Sequence, residues 1–414
     1  MLPLHMHQGS RTRPFIFFFL VLPMGISAGF VGVTLPFVLT RAGFSVGAAA
    51  AIVAVGLSAN IWRFLWGPIA DLTLSLRKWY RIGLGTCAGS LFLLSLIPIR
   101  PGATALLTVM VFISQVAGTL VVLPVGGLMA HAVAENEKGR AAGWYQMGNL
   151  GGFGLGGGAG VWLASHFSSQ LAGSVLALAM LVCTAALYLV PDVQPVAGER
   201  IGRRVRDIGS DFRELIRSPI VLLTIALVAC PIGAAGASNL WSAIAPDWRA
   251  TPDTVALATG VLSSVASAIG CFAGGQMADR VGRWWTYFIS GSFMAVVAIV
   301  MALAPRTPLE YSAWVLCYAL SLGMANASFS ALVLNAIGRG AASTKYAIMA
   351  SLGNIPCVYM TAFDGWAYDR WHASGMLNAE AWISIACVAL GMLALWQVNA
   401  RAAERNLVGA EVPA

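Results

Sequence analysis

Residue types that carry chemistry are few in this sequence, and they are dispersed. The five histidines fall at His5, His7, His131, His166 and His372, and the seven cysteines (Cys87, Cys183, Cys230, Cys271, Cys317, Cys357, Cys387) lie singly inside apolar runs, with no close pair. A metal site needs three or four such ligands converging, and a nucleophilic enzyme needs a base beside its nucleophile. Neither spacing occurs, so the expectation is no metal, no cofactor, no disulfide framework and no enzyme, with the cysteines as small buried hydrophobes. What remains inside the apolar runs are amides and hydroxyls: Ser114 and Gln115, Asn239, Asn326 and Ser328, and Asn354, with the phenol of Tyr359 close by. A buried amide without a partner costs about 1–3 kcal/mol, so each must bond either a neighbouring helix or a ligand. That is chemistry for holding a polar solute, not for transforming one. Gln115, Asn239, Asn326, Asn354 and Tyr359, together with Arg63, are the substrate-binding candidates.

Two ionisable residues stand apart. Asp364 is the one acid placed within a membrane-length run, near its end, and it is the candidate for carrying a coupled proton, with helix-end hydrogen bonding as the alternative. Arg63 lies a few residues from the end of its run. It reads as an arginine snorkelling to the surface, as a group drawing an anionic solute inward, or as a partner of Asp71. No Walker pattern is present, which argues against direct drive by ATP.

The elements positioning these groups must be membrane helices. Of 414 residues 58% are apolar and only 10% charged, against about 25% charged in a soluble domain. Uncharged runs long enough to span about 30 Å of hydrocarbon recur along the chain. They predict spans at 14–39, 46–66, 79–98, 103–131, 141–164, 170–191, 219–242, 254–274, 284–304, 308–337, 344–366 and 380–399. The stretch from Phe15 to Leu39 is expected to be retained as the first span, because further spans follow at once where a signal peptide would release a soluble domain.

The net charge of +8 sits in short Lys and Arg clusters between the runs, with no basic face to bind nucleic acid. Nineteen Lys and Arg fall on the side of the termini and five (Arg41, Arg100, Arg249, Arg306, Arg370) on the other, which places both termini in the cytoplasm. Residues 192–218, rich in arginine and acids, read as a cytoplasmic linker. It divides an N-terminal six-helix bundle (1–191) from a C-terminal one (219–400), followed by a cytoplasmic tail (401–414).

An internal repeat supports the division. Gly67-Pro68-Ile69-Ala70-Asp71 near the end of span two returns as Gly275-Gln276-Met277-Ala278-Asp279-Arg280-Val281-Gly282-Arg283 near the end of span eight, the two aspartates 208 residues apart. The second copy resembles the signature loop of the major facilitator superfamily; the first has Leu72 where the arginine would stand. Within the superfamily, Leu39-Thr40-Arg41-Ala42-Gly43-Phe44-Ser45, Arg63-Phe64-Leu65-Trp66-Gly67-Pro68-Ile69-Ala70-Asp71 and Thr344-Lys345-Tyr346-Ala347 resemble the branch of muropeptide permeases, acetyl-CoA transporters and siderophore-uptake permeases.

The resemblance implies an all-α membrane protein with the major facilitator fold, twelve transmembrane helices in two six-helix bundles that rock about a cavity lined by spans one, four, seven and ten. Gly67, Asp71, Gly275, Asp279, Arg280 and Arg283 would form the gate. Partners would be a small-molecule substrate and the lipid bilayer, with proton coupling, in a monomer of the bacterial inner membrane. The function implied is secondary active transport of a polar solute, an anionic one included, as proton-coupled import of the muropeptide or siderophore type. A small-metabolite or drug efflux permease, and a non-transporting receptor or scaffold on the same fold, remain as alternatives. The eight glycines of span five from Gly148 to Gly160 are expected to pack against the opposite half, and Trp241, Trp284 and Trp285 are expected at headgroup depth.

Overall fold

With no water at mid-membrane to receive backbone N–H and C=O groups, a long uncharged run has to be helical. The computed structural model describes residues 12–66, 73–133, 137–192, 206, 219–337 and 348–410, and among them there is helix but no strand. Gly67, Asp71, Lys345 and all but a few residues of the expected linker lie outside the described residues.

Twelve spans are traced: α1 (Ile16–Arg41), α2 (Val46–Trp66), α3 (Leu76–Leu96), α4 (Thr104–Ala132), α5 (138–166), α6 (Ser169–Leu189), α7 (219–248, interrupted), α8 (Pro252–Val281), α9 (Arg283–Leu303), α10 (Pro308–Ile337), α11 (348–371) and α12 (373–410). Among the described residues seven helices are long and apolar enough to cross a membrane on those grounds alone, α11 and α12 counting together as one continuous stretch. The ends of α11 and α12 differ from expectation. Their turn falls at His372, whose φ of 54° and ψ of −171° break the helix. The weakly apolar residues after His372 had hidden the start of α12, so the last span begins seven residues earlier than its hydropathy suggests.

The duplication is visible in a hydrogen bond. Tyr80 on α3 donates to the Leu20 carbonyl of α1 at 3.0 Å, and Tyr287 on α9 donates to the Leu227 carbonyl of α7 at 3.4 Å. Donor and acceptor both recur 207 residues later, so the repeat extends to tertiary contacts and not only to one loop.

The glycines of α5 divide between two neighbours. A Cβ on Gly152 would strike the Leu22 carbonyl oxygen, and one on Gly156 the Ile26 carbonyl oxygen, both on α1 of the same half. Gly154 and Gly158 instead meet α8 of the opposite half, around Gly260. The sequence reading assigned this face wholly to the opposite half; the larger share packs within its own. At this level α1, α5 and α8 each widen into a π-turn, at Phe30–Thr34, Leu155–Ala159 and Leu257–Leu262, and the turn of α5 touches the other two. Thr34 Oγ1 donates to the Gly156 and Gly157 carbonyls at 2.8 and 3.1 Å, satisfying groups that the wider turn releases.

We call the face at which α1 begins the terminal face and the one at which it ends the distal face. On the distal side the halves are joined. Ser45 Oγ donates to Asp369 Oδ2 at 2.7 Å, the Gly47 N–H to Asp369 Oδ1 at 3.1 Å, and Ser242 Oγ to the Val33 carbonyl at 2.6 Å. His166 Nε2 lies 3.7 Å from Asp253 Oδ1. Ser45 also caps the first turn of α2 by accepting from the Ala48 N–H, so Asp369 is seated on a helix N-terminus, where a carboxylate is favoured.

Candidate functional site

The feature that organises the interior is a break in α7. Pro231 lacks an N–H, and Gly233 (φ 71°) and Ala235 (φ 56°) take the left-handed conformation, so the helix ends at Ala229 and resumes as a short 3₁₀ turn over Gly236–Asn239. Broken backbone in a membrane must find new partners. Tyr359 donates to the Ala229 carbonyl at 2.9 Å, and Tyr287 to the Ile232 carbonyl at 3.0 Å. Tyr359 is thus spent on the break and does not line the cavity.

Beside the break lies a cavity of about 600 Å³, within the size range of small-molecule sites. Its polar lining is supplied by Gln146 and Asn149 of α5, Asn326 and Ser330 of α10 and Asn354 of α11, with Phe329 and the cavity-facing residues Ile232, Gly233 and Ala234 of α7 among the rest. Among the described residues, no lining residue carries a formal charge. All of these positions lie in the terminal-side portions of their spans, whereas the distal side is closed by the contacts above.

The candidates therefore separate. Asn326 and Asn354 come together in the cavity, where Asn354 Nδ2 also donates to the Ala350 carbonyl at 2.8 Å. Gln115 is elsewhere. Its Nε2 donates to Ser27 Oγ at 3.1 Å, Ser27 Oγ bonds Ser114 Oγ at 3.1 Å, and this network fastens α4 to α1. Among the described residues neither α1 nor α4 supplies a lining residue, contrary to the arrangement that the resemblance implied. Asn239 is buried behind the break, donating to Thr361 Oγ1 at 3.0 Å. Arg63 is half-buried near the terminal-face end of α2 and is not among the lining residues.

Of the gate candidates, Asp279, Arg280 and Arg283 are exposed where α8 turns into α9, a turn made at Gly282 with φ 98°. Gly275 does not provide the close helix approach expected of it, since a Cβ there would meet nothing within 4 Å; the tight crossing is made one residue earlier, where Gly274 packs on Met324 of α10. Trp241 is not a headgroup anchor either. It is 3% exposed and packs edge-on against Tyr318 with ring centroids 5.1 Å apart.

Sequence reasoning missed one acid. Glu380 is buried, and it lies eight residues after His372 just as Asp364 lies eight before it, so each is about 12 Å below the turn at 1.5 Å per residue. Asp364 is therefore deeper than the near-end position assigned to it. Tyr318 donates to Glu380 Oε1 at 2.6 Å, and the backbone N–H groups of Gly236 and Ala237 in the α7 break face the same carboxylate. A Cβ on Gly236 would strike Asp364 Oδ2, so the two acids flank one stretch of broken helix. Both oxygens of Asp364 and Oε2 of Glu380 lack a hydrogen-bond partner among the described residues. The available signal was the absence of any helix breaker but Gly375 between His372 and Glu380.

Comparison with known proteins agrees with this architecture. No curated relative matches the chain in sequence. Among solved structures, a POT family transporter in complex with 5-aminolevulinic acid superposes with a TM-score of 0.74 at 11% identity, covering 95% of this chain and 98% of that one. A D-xylose-proton symporter gives 0.72 at 14% identity, with 91% and 96% covered, and a peptide transporter POT in complex with sulfate gives 0.72 at 12%, with 96% and 97% covered. At these identities the likeness concerns the fold. The sequence pattern of one family matches residues 15–361, most of the chain. The twelve spans, the paired bundles and that match together place this multi-pass membrane protein in the Major Facilitator Superfamily.

Proposed function

We propose that this chain is a secondary active transporter that moves a polar organic solute across a bacterial inner membrane by alternating access, coupled to protons and working as an importer. The observation that supports it is the amide-lined cavity beside the break in α7, with the two halves joined by the distal contacts of Ser45, Gly47 and Ser242. Amides in a low-dielectric pocket select solutes able to satisfy them, because a buried polar group left unpaired costs more than the bond it replaces. With the termini in the cytoplasm, as the Lys and Arg distribution argues, the cavity belongs to the inward-facing state. The solute classes suggested by the branch resemblance are muropeptides and siderophores, which carry many hydrogen-bonding groups on several hundred daltons.

Purified protein in liposomes, given muropeptides, ferric siderophores or acyl-CoA under an imposed pH gradient, is expected to accumulate one of the first two. Accumulation of none, with no effect of pH, would remove the reading. Asn326→Leu is expected to raise KM about tenfold, the loss of roughly 1.4 kcal/mol that one good hydrogen bond represents, with the yield of folded protein unchanged. An unaltered KM would place the solute elsewhere.

Arg63→Gln separates the charge classes. If Arg63 draws anions through the terminal-side vestibule, uptake of anionic solutes falls several-fold at low salt while neutral solutes are unaffected. Equal effects on both would show that the arginine serves only the end of α2.

A further inference from the structure

The irregular stretch of α7 meets three things at once. Ile232, Gly233 and Ala234 line the central cavity. Gly236 and Ala237 face the Asp364 and Glu380 carboxyl groups. Ser242, just beyond, bonds the Val33 carbonyl across the halves, and Asn239 Oδ1 abuts Gly32 of α1. Two carboxylates buried this deeply cannot both remain ionised, since no basic side chain among the described residues lies beside them to compensate the charge. Their surroundings are unequal. Glu380 has Tyr318 and two backbone N–H groups to hold a negative charge, whereas among the described residues none donates to Asp364.

Among the described residues no other charge intervenes. The ionisable groups facing the pair are Tyr318 of α10 and Cys357 of α11; α7 brings only the Asn239 amide, and α9 only Met294, Ala295 and Ala298. A second observation lies next to Glu380. Ser384 Oγ is buried without a partner on the wall of a cavity of about 10 Å³ that Glu380 also lines, room for a single water that would relay a proton.

We propose that Asp364 and Glu380 form the proton-carrying site of this transporter, with the broken segment of α7 as the element through which the proton's arrival and departure act on the distal closure. The proposal rests on the coupled-transport reading above and assigns its residues. With the proton on Asp364, the pair carries one negative charge, held by Glu380, and α7 stays seated against α1. When the proton leaves Asp364 for water, the second carboxylate is repelled by the first and has no donor to receive it. The pair then separates, and residues 236–242 shift away from Gly32 and Val33, releasing the distal contacts. Only a proton moves; no other bond is made or broken.

Infrared difference spectra of the purified full-length protein between about pH 5 and pH 9, where ordinary surface carboxyl groups are largely ionised, test the site without any solute. A carboxylic-acid carbonyl band that shifts in D₂O is expected in the wild type, absent from Asp364→Asn and moved in Glu380→Gln. If Asp364→Asn fails to fold, Tyr318→Phe is the substitute, and it should move the band by removing the donor to Glu380. Absence of the band, or its persistence unmoved in every variant, would overturn the proposal. So would a band that appears only on removal of sodium, which would make the pair a metal-cation site. In liposomes, solute entry through the wild type should carry protons inward, and entry through Asp364→Asn should carry none at any pH; proton movement unchanged in that variant would also overturn it. An intact infrared band with no flux of any solute in the wild type would overturn the transport reading instead, leaving the proton site standing.

Discussion

Gly152→Val is expected to leave almost no folded protein. The position faces the Leu22 carbonyl, with the Gly25 Cα 2.9 Å and the Ile26 nitrogen 3.0 Å from where a Cβ would stand. All three obstacles are main chain, so no rotamer change relieves them, and α1 and α5 would have to separate along the line that also holds Gly148 and Gly156. Overpacking by a side chain ordinarily costs 1–3 kcal/mol, and backbone opposition raises this to roughly 4 kcal/mol or more, a large share of the stability of a helical bundle. In a membrane the loss is not offset by apolar burial, because lipid is as apolar as the neighbouring helix and close packing is what joins the two. Thermal unfolding followed by size-exclusion chromatography checks this. The control is Gly275→Ala, where a Cβ meets nothing within 4 Å; it should be neutral or stabilising by up to about 1 kcal/mol through helix propensity. Gly152→Val running as a monodisperse peak with an unchanged transition would mean that α1 and α5 do not cross there.

Asp369→Ala is expected to loosen the distal closure by about 5- to 30-fold in its equilibrium. The carboxylate accepts from Ser45 Oγ and from the Gly47 N–H, and it sits on the N-terminal turn of α2. Charge-assisted bonds of this kind are worth about 1.5–3 kcal/mol when dry. This carboxylate is exposed, so screening by water reduces the expected loss to about 1–2 kcal/mol, which corresponds to that range. Val46→Cys is a suitable reporter, since Val46 is 6% exposed at the start of α2. Its alkylation from the distal side should accelerate by the same factor in the Asp369→Ala background and slow again in Asp369→Glu if the longer acid still reaches Ser45. An unchanged rate would show that the remaining contacts, Ser242 to Val33 among them, carry the closure unaided. The two substitutions act on different levels of the molecule: the glycine on whether the N-terminal bundle forms, the aspartate on which face of the assembled pair is shut.

How much of the site was legible beforehand depends on the kind of signal each residue leaves. Asn326 and Asn354 were readable as polar groups in apolar runs, and they line the cavity. Gln115 and Asn239 left the same signal, yet they bond Ser27 and Thr361, because a sequence records that an amide is buried but not which partner satisfies it. Pro231, Gly233 and Gly236 announced a bend in α7, although the left-handed turn at Ala235 follows only from the neighbours that fix it. Glu380 was lost for a different reason. Hydropathy locates the apolar centre of a span and not its ends, and the polar residues around His372 pushed the expected start of α12 down to the acid itself.

By itself the sequence determined that the chain is helical and lipid-embedded, that it holds two related halves and that its charges sort to one side. These follow from backbone hydrogen bonding in hydrocarbon, from duplication and from charge bias, all of which act along the chain. Tertiary structure alone decided the rest: that the α5 glycines divide between α1 and α8, that the distal face is the closed one, and that Asp364 and Glu380 flank the same broken turn. Those are meetings between residues 16 to more than 100 positions apart, and which helices come close enough to meet is set by packing in three dimensions, which no one-dimensional pattern contains.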